Sequence, residues 1–125
     1  MAGSTLSEHT HGIPSQNAPF VVSDLSEWKT VGHGVQRQIL AHGPDLMVVK
    51  VTFEPNAIGA IHDHPHRQVT YVAEGTFEAT VGDERRTLRA GDSFFVAGDV
   101  PHGVVALEKG TLIDCFTPSR ADFLG

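Results

Sequence analysis

Apolar and polar residues alternate along most of the chain with a period of two, the mark of strands that bury one face. β-rich runs occupy 35–40 and 46–53, separated by His42-Gly43-Pro44-Asp45, a turn by composition. Glu54-Pro55-Asn56 ends the second run, and 61–73 is the next extended stretch, closing at Glu74-Gly75. Runs at 77–81 and 86–88 flank Gly82-Asp83 as a hairpin. Ala90-Gly91-Asp92 turns the chain into 94–97 and 100–107, and Glu108-Lys109-Gly110 leads to a return strand over 112–116. The segment 24–28 is predicted as one helical turn capped by Ser23 or Asp24. Residues 1–18 have no apolar period and are predicted as a mobile leader before a domain spanning 19–125. Many short strands with almost no helical period predict an all-β sandwich or barrel.

Composition narrows the function more than the fold. A chain of 125 residues with 40% hydrophobic content fits one domain with its own core. Its formal charge of −6 and scattered basic residues argue against a nucleic-acid partner. No apolar run approaches the roughly 18 residues of a membrane span, and the N-terminus does not read as a secretory signal. The single cysteine, Cys115, cannot form an intrachain disulfide and reads as a core residue in a reducing compartment, so a cytoplasmic protein is expected.

Eight histidines are many for this length. His9, His11, His33 and His42 lie in polar or turn-like surroundings and are read as surface residues. The chemical centre is Gly59-Ala60-Ile61-His62-Asp63-His64-Pro65-His66-Arg67-Gln68. On an unbroken strand His62, His64, His66 and Gln68 share one face, so two imidazoles and an amide oxygen can meet one ion. His102, in Val100-Pro101-His102-Gly103, is the candidate remote ligand. His66 keeps two readings, a contact inside the pocket or a position outside it where Pro65 bends the chain. The metal is a divalent ion such as Zn, Mn, Ni, Fe or Cu. Three imidazoles and one amide are all neutral, so the ion would keep its full charge and act as a strong Lewis acid towards carbonyl or carboxylate oxygens.

The spacing from His62 through His64 and Gln68 to Gly75 resembles the first cupin motif, with Gln68 where that motif usually has Glu. The stretch from Gly91-Asp92 to Val100-Pro101-His102 resembles the second motif, although Ala97, Asp99 and Ala106 depart from it. The resemblance covers about 35–117 and implies a double-stranded β-helix, or jelly-roll barrel. Such barrels often pair, so a homodimer is expected.

The tail carries a second signal. With a three-residue loop at 108–110, antiparallel pairing sets His102 opposite Phe116 and Val104 opposite Asp114, turning Asp114 and Phe116 inward. Asp114 beside a cation is a candidate general base, and Arg120 a candidate fork for a substrate carboxylate. A structural Asp114–Arg120 ion pair is the competing reading. The order Asp114-x-Phe116-x-Pro118-x-Arg120, followed by Asp122-Phe123-Leu124, resembles the end of the KdgF-like cupins of pectin degradation. That resemblance implies His62, His64, Gln68 and His102 as metal ligands. It also implies Asp114, Phe116 and Arg120 as catalytic and substrate-binding positions. The expected activity is conversion of 4,5-unsaturated monouronates from pectin or alginate breakdown into linear keto forms, on a small sugar-acid substrate. Two other functions stay open: a cupin dioxygenase, and a non-catalytic sugar-acid or metal-binding module.

Overall fold

A computed structural model describes Asn17 and residues 19–125. Ten strands run in chain order: β1 (Trp28–Gly32), β2 (Val35–Gly43), β3 (Leu46–Phe53), β4 (Ile58–His62), β5 (Arg67–Glu74), β6 (Thr76–Val81), β7 (Glu84–Arg89), β8 (Ser93–Val96), β9 (His102–Ala106) and β10 (Gly110–Thr117). A short helix, α1 (Ala121–Leu124), ends the chain. The strands form two antiparallel sheets, one ordered β1-β2-β3-β10-β5-β8 and the other β4-β9-β6-β7.

The period-two pattern decides which face of each strand is buried. On β3 the residues Met47, Val49, Val51 and Phe53 are buried and their alternates are not. They meet Phe77 and Ala79 of β6 and Ala106 of β9 across the gap between the sheets. Phe53 packs edge-on against Phe77 with ring centroids 5.2 Å apart, an arrangement that suits the aromatic quadrupoles. Gly75 carries the chain from the large sheet to the small one with φ +86°, and a Cβ there would stand 2.6 Å from the Lys109 carbonyl. Both facts require glycine.

Three predicted elements are corrected. The 24–28 helical turn is a 3₁₀ turn over Ser23–Leu25 without a side-chain cap, and Trp28 instead opens β1. Gln38 of β2, fully buried, donates to the carbonyls of Ser23 (2.7 Å) and Ser26 (3.3 Å) and pins that turn to the sheet. The 61–73 stretch is two strands in different sheets, β4 and β5, because Pro65 cannot supply a ladder N–H and the chain bends over 63–66. Strands β9 and β10 do not pair: the loop between them passes from the small sheet to the large one. His33 is exposed, whereas His42 is half-buried on β2 rather than on the surface. Of the predicted leader only Asn17 is described, and its N–H donates to the His42 carbonyl. His9 and His11 lie outside the described residues.

Candidate metal centre and its cavity

His62 ends β4 and has His102, the first residue of β9, as its cross-strand partner, which brings the two rings to 4.5 Å. His64 sits in the bend before β5, where its carbonyl accepts the Asp99 N–H at 2.7 Å. Gln68 lies on β5 in the other sheet, opposite Phe116 of β10 and Val96 of β8. The histidines and Gln68 thus converge from both sheets, not from alternate positions of one strand. One ligand atom from each of His62, His64 and His102 falls within 4.8 Å of the others, so these three can hold a metal ion.

Hydrogen bonding fixes which nitrogen each ring presents. The Nδ1–H of His62 donates to the Ala60 carbonyl at 2.8 Å, that of His64 to His66 at 3.0 Å, and that of His102 to Val100 at 2.8 Å. A carbonyl only accepts, so each Nδ1 carries the proton and each Nε2 is left with its lone pair. Burial, with smaller contributions from His62 and His64, pushes the His102 pKa down against the Val100 hydrogen bond and keeps that ring neutral.

The Oε1 of Gln68 lies 3.0 Å from the Nε2 of His64 and 3.1 Å from that of His102. Its amide nitrogen is turned away to donate to Thr70 Oγ1 at 2.8 Å. Lone pairs pointed at lone pairs repel one another unless a cation stands among them. The donor set therefore fits a divalent ion, and its mixed imidazole and amide character suits a first-row metal.

Behind the cluster, Thr70 is fully buried and donates its hydroxyl to Asp114 Oδ1 at 2.6 Å. Asp114 faces Thr70 directly across the β5–β10 ladder, as Phe116 faces Gln68. Burial raises the Asp114 carboxyl to about 6, opposed by the Thr70 hydrogen bond and the positive charge of Arg120. Asp114 stays outside the three-histidine group. The inward direction expected for Asp114 and Phe116 holds, but it comes from pairing with β5 rather than with β9.

The cluster opens into a cavity of about 430 Å³ lined by His62, Gln68, His102, Asp114, Phe116 and Arg120 among others. That volume suits a small molecule. Arg120 is buried, yet its partner is Asp122, not Asp114: Nε donates to Oδ1 at 3.1 Å and Nη2 to Oδ2 at 2.9 Å. His66 lies outside the ligand group, with its ring against His64 and its buried Nδ1 without a hydrogen bond among the described residues. Two residues at the site, Thr70 behind the cluster and Arg37 in the cavity wall, escaped the sequence reading. Thr70 was findable, since it follows Gln68 by one strand period; Arg37, between Gln36 and Gln38 on β2, had no signal.

The sequence model of the Cupin domain family matches residues 49–113. The pectin degradation protein KdgF of Dickeya dadantii (strain 3937) is 44% identical over 107 residues, which is 84% of this chain and 97% of that protein. The solved KdgF of a Halomonas species superposes with a TM-score of 0.81 at 44% identity, covering 84% of this chain and 99% of that one. An RmlC-like cupin of Shewanella frigidimarina NCIMB 400 superposes at 0.85 with 43% identity, covering 88% of this chain and 99% of the other. Among the described residues no helix is long and apolar enough to cross a membrane. With two-sheet topology, histidine cluster and near full-length relatives in agreement, the chain belongs to the cupin family and, within it, to the KdgF proteins.

Proposed function

We propose that this protein is a metal-dependent enzyme of sugar-acid breakdown that opens the ring of a 4,5-unsaturated monouronate and ketonises the product. The observation that carries the reading is Asp114, oriented by Thr70 in the cavity that is also lined by Gln68 and by His62 and His102 of the three-histidine group. The 44% identity to a pectin degradation protein supports a sugar-acid substrate. His62, His64, Gln68 and His102 would hold the ion, whose chemistry there is Lewis-acid polarisation of substrate oxygens.

The isomerisation neither adds nor removes atoms. Asp114 accepts the proton of the anomeric hydroxyl as the bond between the anomeric carbon and the ring oxygen breaks. The electron pair of that bond stays on the former ring oxygen, as an enolate conjugated with the double bond. Asp114 then returns a proton to C4, and a ketone forms at C5. Thr70 keeps the carboxylate oriented through both transfers. Phe116, with its ring edge against His64, walls the cavity beside the reacting carbons. Arg120, neutralised in part by Asp122, keeps that wall positive.

The test is loss of ultraviolet absorbance from the conjugated unsaturated uronate, compared among metal-loaded, chelator-treated and Asp114→Asn protein. Loss faster than the spontaneous rate only in the first sample supports the reading. Three traces equal to the no-protein control would sink it.

A further inference from the structure

Arg37 is an interior-facing arginine without a hydrogen-bonded acid among the described residues. It lies on β2 opposite Val51, on the face that also carries the buried Val35, and it lines the same cavity as the metal-ligand cluster. Its guanidinium carbon sits 3.7 Å from the centroid of the Phe123 ring, and that of Arg120 sits 4.2 Å from the same centroid. Stacking orients a guanidinium plane while leaving its N–H edge available. One carboxylate, Asp122, acts on both cations, but its hydrogen bonds, one on each oxygen, go to Arg120. Among the described residues Arg37 has no hydrogen-bonded or ion-paired acid. A half-buried charge without a counter-ion is costly, and the cavity is where one can enter.

The same cavity is lined by His62, Gln68 and His102 and by Asp114, which makes no ion pair with either arginine. A ligand in that space therefore meets metal-seeking lone pairs, a proton acceptor and the Arg37 fork together. The group that fits a planar guanidinium fork is a carboxylate.

We propose that Arg37 is the residue that binds the substrate's carboxylate and sets the preference of this site for uronates over neutral sugars, with Arg120 committed to Asp122. The inference rests on the uronate reading for the identity of the ligand, but it can be tested without turnover.

The probe is the metal-loaded protein titrated calorimetrically with galacturonate, a saturated uronate, and with galactose, its neutral counterpart. Wild type is expected to prefer the acid. Arg37→Met is expected to weaken galacturonate by roughly 10- to 100-fold, the scale of a lost charged hydrogen-bond pair, and to leave galactose unchanged. Arg37→Lys, which keeps the charge without the fork, should fall between. Arg37→Gln replaces the methionine variant if that one does not fold. An acid preference undiminished in Arg37→Met or Arg37→Gln overturns the proposal, as does a wild type without any preference. The ketonisation assay separates the two readings. Arg37-dependent galacturonate binding without turnover overturns the enzyme reading alone, whereas turnover with an unchanged KM in Arg37→Met overturns this one alone.

Discussion

Thr70→Val is the sharpest test of how the site is held together. The hydroxyl is fully buried, accepts from the Gln68 amide at 2.8 Å and donates to Asp114 at 2.6 Å. Valine matches its shape, so only the hydrogen bonds change. Losing the bond to the carboxylate costs about 1.5–3 kcal/mol, and the Gln68 N–H, left with only its 3.5 Å contact to Asp114, adds about 1 kcal/mol. The new methyl returns about 0.8 kcal/mol of burial, leaving a net loss of about 2–3 kcal/mol. For a domain of this size that lowers the Tm by about 6–15 °C. A second effect follows from geometry. Gln68 Oε1 is aimed at His64 and His102 because its amide nitrogen is anchored on Thr70, so the freed side chain should weaken metal binding about 10- to 100-fold. The assay is thermal unfolding by circular dichroism, with zinc affinity measured against a competing chelator, and Thr70→Ser as the control that keeps the hydroxyl. The reasoning is refuted if the valine variant matches the serine variant in both melting temperature and zinc affinity.

Two further perturbations probe the frame around the site. In Gly103→Ala the new Cβ would stand 2.7 Å from the Gly59 carbonyl and 2.8 Å from the Ile61 side chain, so β4 must move off β9 and carry His62 with it. Denaturant unfolding should show a loss of about 1–3 kcal/mol together with weaker zinc binding; a variant with wild-type zinc affinity would show that β4 yields without moving His62. Hydrogen bonds from Arg120 hold the Asp122 carboxyl below its usual value, so their stabilisation is complete above the unfolded carboxylate value near ~3.9. It is lost as pH falls through the lower folded value, and Asp122→Asn should flatten that acid limb of the unfolding curve. A variant curve parallel to wild type at low pH would rule the pair out as its source.

The sequence disclosed the strands better than it disclosed their pairing. Alternation over 46–53 fixes which residues of β3 face inward, because a half-buried strand leaves no other arrangement. The His62 and His64 spacing pointed to a candidate metal site, but its geometry was hidden in the bend at Pro65, which sends Gln68 into the opposite sheet. Short loops between strands normally join neighbours, so 108–110 looked like a hairpin. Instead Gly110 passes under the Glu74 carbonyl and the Phe77 ring, where an added Cβ would stand 2.6–2.7 Å away, and the chain changes sheets there. Arg37 was illegible for a different reason. What singles it out is the lack of a hydrogen-bonded acid among the described residues, and only the packed structure can show which charges lack one.

Asp114 and Phe116 were placed inward by a pairing that does not exist, and the agreement is not accidental. A residue's face is set by its parity relative to its true neighbours, and β10 is paired on both sides within the large sheet. Towards β5 the ladder places Phe116 against Gln68 and Asp114 against Thr70; towards β3 it places them against Met47 and Val49, both fully buried. Two successive inward-facing rungs thus divide the labour. One carries a candidate cation donor beside an aromatic wall, and the next carries the carboxylate beside the hydroxyl that orients it. The carboxylate stays out of the donor cluster because it sits two rungs further along the sheet, on the same face, and is tethered there by Thr70. That separation lets three imidazoles and an amide remain an all-neutral donor set while a negative group stands within reach of the same ligand. A one-residue slip of β10 would turn Asp114 and Phe116 to the outer face together, so the buried methionine and valine on β3 that fix its register also preserve the chemistry of the cavity.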